Sequence, residues 1–279
     1  MQKLPKPIDS PLEVFQTCIS NIQNDNLKTR LTSVEANIVV AAAEFDTAAT
    51  QAKLHTLVTQ TTVNGVVTRD EMSDVYDFKM ARKNTPGRPF YDKLMAAPVY
   101  GRCPLCGQRT VSTLDHHLPK GHYPALAVVP TNLVPACGDC NKSKGTTHPT
   151  TADKQTLHPY YDDVEGQLWL RAEIIESSPP ALRFFVESPA DWDAVKNERV
   201  NHHFNLLNLG KLYGSHAAEE LVNIRAALSN LFAQAGFNGV RQHLQEQAAS
   251  YGAARLNSWQ AAMYRALATN DWFCSGGFN

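Results

Sequence analysis

The chain has 279 residues, 43% of them hydrophobic and 19% charged, with 15 Gly and 16 Pro, a globular composition that excludes a disordered or fibrous polymer. Its 26 Lys and Arg stand against 27 Asp and Glu, a net charge of -1, so a uniformly basic nucleic-acid binder is excluded and any phosphate-facing patch has to be local. No apolar run approaches the roughly 18 to 20 residues of a membrane span, and Met1-Gln2-Lys3-Leu4-Pro5-Lys6-Pro7 lacks the apolar stretch of a signal peptide, which predicts a cytoplasmic protein with no membrane contact.

In chain order, Leu31, Val34, Ile38, Ala41, Ala42, Phe45, Ala48 and Ala49 recur at helical spacing and predict one long helix from Thr29 to about Val58. Asn64-Gly65 breaks the pattern, and Thr68 with Glu71 predicts a capping box opening a second helix that carries Met72, Val75, Tyr76 and Met80. Pro89 to Leu94 leaves room for only a short turn before Pro98. Residues 101–149 crowd Gly, Pro, Cys and His together. Beyond them, Gln167 to Ile175 and Ala181 to Val186 read as a hairpin, and helices follow to Leu267, punctuated by Gly210 and Gly236.

Four of the six cysteines form two pairs, Cys103-Pro104-Leu105-Cys106 and Cys137-Gly138-Asp139-Cys140, separated by 30 residues. In a reducing compartment this spacing suits a structural Zn²⁺ held by four thiolates at about 2.3 Å each, with no open position for catalysis. The leftover cysteines are Cys18 and Cys274. Around the pairs, Asp115 and Asn141 offer oxygen ligands suited to Mg²⁺ or Mn²⁺. His116, ordinarily titrating near about 6.5, is a natural general base. Strand alternation suggests another set, Asp115, His117 and Asn141 on one face. Residues 99–150 hold five Lys or Arg (102, 109, 120, 142, 144) against Asp115 and Asp139, a local balance of +3 that suits phosphate contact through Lys120, Lys142 and Lys144.

Leu114-Asp115-His116-His117-Leu118-Pro119-Lys120, then Asn132-Leu133-Val134-Pro135, then Cys137-Gly138-Asp139-Cys140-Asn141-Lys142-Ser143-Lys144-Gly145 together resemble the HNH endonucleases of the ββα-metal superfamily. Pro119-Lys120 followed by Tyr123-Pro124-Ala125-Leu126 is similar to a subgroup from bacterial antiphage systems, the nuclease subunits of the Septu and retron type. The resemblance implies Asp115 as a metal ligand, His116 as the base, Asn132 as the residue that fixes the loop and orients the imidazole, and His117 as a supporting or substrate-facing group. It also implies hydrolysis of DNA leaving a 5′-phosphate and a 3′-hydroxyl. The resemblance to antiphage systems further implies an ATPase partner that supplies sensing and nucleotide use, for which the chain offers no ATPase loop.

The expected fold is α+β: N-terminal helices in 1–98, a zinc-clasped ββα-metal core in 99–150, and a hairpin with helices in 151–279. RNA is an alternative substrate, because the motif reads a phosphate rather than a 2′-hydroxyl. A noncatalytic zinc module that binds nucleic acid or a partner is the rival from another class, although a scaffold needs only the four cysteines.

Overall fold

The periodic stretch predicted as one helix is broken at Val34, whose backbone (φ -103°, ψ 7°) leaves the helical region. The computed structural model of the chain, which describes residues 1–279, places α2 at Asp25–Ser33 and α3 at Glu35–Thr50, after α1 at Pro11–Ile19. Leu31, Val34 and Ile38 are all fully buried, so the break lets two short helices turn their apolar sides into one core. A two-residue ladder, β1 (Thr62–Val63) with β2 (Val67–Thr68), leads into α4 (Arg69–Val75), where Thr68 and Glu71 form the expected capping box. Thr68→Ala should lower stability by about 1 kcal/mol, read as a shifted urea midpoint. The helix then widens into a π-helical turn, Tyr76–Ala81.

Pro89 does not confine the next segment to a turn: α5 runs Arg88–Ala96 with the proline in its first turn, where its missing N–H is not needed. Strands β3 (Thr113–His116) and β4 (Leu133–Ala136) pair antiparallel, Asp115 opposite Val134 and His116 opposite Leu133. The short α6 (Gly138–Lys144) follows at once and packs on β3. Ala125 to Val129 lies in a buried connection between β3 and β4.

The chain divides into two compact units, residues 1–163 and 164–279. In the first, Leu114, Leu118, Ala125 to Val129 and Leu133 share one apolar core with Phe15, Ile38, Phe45 and Met72 of the N-terminal helices. The cysteine-rich stretch is therefore part of a larger body rather than an island between flanks. In the second unit β5 (Leu170–Ile175) and β6 (Ala181–Val186) make the expected hairpin. It packs on α8 (Leu209–Ala254) and α9 (Trp259–Thr269), with α7 (Ala194–Leu206) alongside. Gly210 lies inside the first turn of α8 instead of ending a helix. Gly236, at φ 61° and ψ -159°, kinks α8 without terminating it, a conformation that glycine alone adopts at little cost. The architecture is mixed α+β, mostly helical with three two-stranded sheets, and no helix is long and apolar enough to cross a membrane.

Candidate functional site

Cys103 and Cys106 sit on a knuckle closed by hydrogen bonds from Cys103 N–H to the Arg109 carbonyl (2.8 Å) and from Gly107 N–H to the Cys103 carbonyl (2.7 Å). Gly107 takes φ 68° to make this turn. Cys137 caps α6 and Cys140 lies in its first turn, with Cys140 N–H donating to the Cys137 sulfur at 3.4 Å. Arg109 and Asp139 tie the two knuckles across the surface at 2.7 Å. The four sulfurs lie within 4.8 Å of one another, all buried, and none is in a disulfide. A tetrahedral zinc with bonds of about 2.3 Å needs sulfurs about 3.8 Å apart, and Cys106 and Cys137 are 4.0 Å apart. The four cysteines fit Zn²⁺. Hydrogen bonds among the four sulfurs hold Cys106 well below the usual thiol range and push Cys103 and Cys140 above it; a bound metal takes all four as thiolates.

β3, β4 and α6 bring the rest of the motif next to this cluster. Asp115 is 3% exposed; burial pushes its carboxyl up, and the nearby Lys144 charge and hydrogen bond pull it back. Lys144 Nζ donates to Asp115 Oδ1 at 3.1 Å and to the His116 carbonyl at 2.6 Å. Of the three lysines expected to meet phosphate, Lys142 is exposed on α6, while Lys144 is buried on Asp115. Lys120 pairs with Asp77 at 2.6 Å and lies over the Tyr76 ring at 4.8 Å. Asn141 is half-buried, one turn of α6 before Lys144.

The two adjacent histidines have different surroundings. His116 Nε2 is 2.8 Å from the Ala127 carbonyl. A carbonyl only accepts, so Nε2 carries the proton and Nδ1 keeps its lone pair. The ring meets Tyr76 edge-on, centroids 4.4 Å apart. Burial pushes the imidazole down to about 3, opposed by the Ala127 hydrogen bond and reinforced by the Lys120 and Lys144 charges. His117 is buried and its ring lies 4.2 Å from that of His158. His158 in turn accepts from Tyr160 N–H at Nδ1 (3.2 Å) and donates from Nε2 to the Thr131 carbonyl (3.1 Å). Because β3 ends at His116, the strand alternation that would place His117 beside Asp115 stops one residue short.

Asn132 is fully buried, and its backbone carbonyl accepts from His117 N–H at 2.8 Å. Its Oδ1 accepts from Leu118 N–H at 2.8 Å, and its Nδ2 donates to the carbonyls of Leu118 (3.0 Å) and Leu126 (3.2 Å). It therefore pins both ends of the segment whose Ala127 carbonyl holds His116.

Across 234 residues, 80% of this chain and 79% of the other, the sequence is 30% identical to protein ea31 of Escherichia phage lambda. The chain belongs to the ea31 family. This ea31-family chain is also 44% identical to Septu protein PtuB of Bacillus thuringiensis over 48 residues, 17% of this chain and 19% of that protein. No protein-family profile matches the chain, and no solved structure does.

In the ea31-family chain the donors available to a hard divalent cation are oxygens, the Asp115 carboxylate and the Asn141 amide. Lys144 takes Oδ1 of Asp115, and a carboxylate and an amide oxygen are donors of the kind Mg²⁺ or Mn²⁺ would take. Three contributors escape sequence reasoning: Tyr76, the Ala127 carbonyl and the buried use of Lys144. Helical spacing marks Tyr76 only as apolar, and a backbone carbonyl has no sequence signal at all.

Proposed function

We propose that this protein is an HNH-type endonuclease that hydrolyses phosphodiester bonds of DNA with Mg²⁺ or Mn²⁺, works in the cytoplasm, and serves as the effector of an antiphage complex with an ATPase partner. The observation that carries this reading is the pinned tautomer of His116, whose Nε2 is held by the Ala127 carbonyl at 2.8 Å so that Nδ1 keeps its lone pair, on the strand residue that follows the buried Asp115.

In this reading His116 Nδ1 takes the proton from an attacking water. An imidazole held near 3 is a weak acceptor, and an approaching phosphate anion raises its affinity for the proton. Asp115 Oδ2 and Asn141 hold the cation, which when bound supplies neutralisation of the charge growing on the phosphate and leaving oxygen. Asn132 keeps the Ala127 carbonyl in place. Lys142 and, once freed from Asp77, Lys120 contact neighbouring phosphates. The cysteine cluster anchors α6. The short similarity to a Septu protein supports the antiphage setting.

The test is incubation of the purified chain, alone and with the product of its neighbouring gene, with labelled duplex DNA, single-stranded DNA and RNA under Mg²⁺ or Mn²⁺. Metal-dependent cuts in DNA with 5′-phosphate ends are expected; cuts in RNA alone would make it an RNase. The ion pair that neutralises Asp115 favours a second reading, a noncatalytic zinc module that binds nucleic acid or a partner. Stable binding with no cleavage under every metal would establish that reading instead.

A further inference from the structure

Lys144 is the last residue of α6, and its side chain is 6% exposed. Four residues before it on the same helical face is Cys140, so α6 runs from the cysteine cluster at one end to the candidate cation ligand at the other. The ammonium is divided between a side chain and the backbone of β3, Asp115 Oδ1 at 3.1 Å and the His116 carbonyl at 2.6 Å.

A divalent cation arriving at Asp115 meets this resident charge in one of two ways. Displacement would drive the lysine out of a buried position and strip the His116 carbonyl of its donor, leaving a polar group unsatisfied in the interior. Sharing leaves both hydrogen bonds in place and gives the cation the other carboxylate oxygen. The double anchorage and the burial favour sharing. We propose that Lys144 is a fixed positioning residue of the cation site: it holds Asp115 by Oδ1, presents Oδ2 to the divalent cation, and carries the rigidity of the cysteine cluster along α6 to that oxygen. This rests on the reading of Asp115 as a cation ligand.

The experiment measures Mn²⁺ affinity of the zinc-loaded full chain by electron paramagnetic resonance, for wild type, Lys144→Met and Lys28→Met. Removing a group that orients a metal ligand weakens binding by about 10- to 100-fold, and that loss is expected for Lys144→Met with its zinc retained. Lys28→Met removes the same charge from an exposed position on α2 and should change Mn²⁺ affinity little. Tighter Mn²⁺ binding by Lys144→Met, or unchanged affinity, overturns the proposal, since the lysine would then compete with the cation or ignore it. If Lys144→Met fails to hold zinc, the wild type decides: the slowly exchanging ammonium resonance of Lys144 should persist in a ¹⁵N spectrum on adding Mg²⁺, and its loss would show displacement. A wild type that binds no Mn²⁺ and cuts nothing removes the nuclease reading itself. A wild type that binds Mn²⁺ and cuts DNA, with Lys144→Met binding equally well, removes only this inference.

Discussion

His116→Ala should reduce DNA cleavage by about 10²- to 10⁴-fold, the usual contribution of a positioned general base, with zinc content unchanged. The imidazole is half-buried and held by one hydrogen bond to a carbonyl, so its loss leaves the cysteine cluster and the shared apolar core intact. His117→Ala should show the opposite pattern. That ring is buried against His158, and emptying its place costs packing before it costs turnover. Steady-state rates and thermal melts of both variants separate the cases. A dead His117→Ala beside an active His116→Ala would move the base to His117 and revive the alternation argument.

Stripping the metal from the cysteine cluster should unfold the knuckles and release α6. A closed Cys₄ zinc site contributes on the order of 10 kcal/mol to local folding, comparable with the whole stability of an ordinary domain, roughly 5 to 15 kcal/mol. One zinc per chain is expected by elemental analysis after washing with a weak chelator. Cys137→Ser should lose it, together with the thermal transition of the first unit, because Cys137 is both a candidate ligand and the cap of α6. Protein purified without zinc, or with the four cysteines oxidised to disulfides, would remove the metal from this account.

Features set by neighbours in sequence were legible. The Thr68 and Glu71 capping box, the hairpin after residue 167 and the two cysteine pairs each follow from chemistry within a few residues. Features set by packing were not. Nothing in the apolar spacing of residues 29–58 distinguishes one helix from two that meet at Val34, because both arrangements bury Leu31 and Ile38. Gly236 carries a signal for a break, yet α8 continues past it as a kinked helix. At the site, the sequence displays charge without its partner: Lys144 reads as a surface cation, and only the placement of α6 on β3 sends it inward to Asp115. Tyr76 reaches His116 across 40 residues of chain, a separation that periodicity cannot bridge.

The apolar core shared by the N-terminal helices and the cysteine-rich stretch bears on how such a protein can be recombined. Leu114, Leu118 and Leu133 are covered by side chains from the first 98 residues, and the ring on the edge of His116 comes from the same stretch. A gene fragment encoding residues 99–150 alone would carry every motif residue yet leave an oily face wet and its imidazole without a wall. The heritable module is therefore residues 1–163 as a block, and crossovers that preserve the cysteine and histidine motif while exchanging the helices before it would have to exchange their buried surfaces in matched sets.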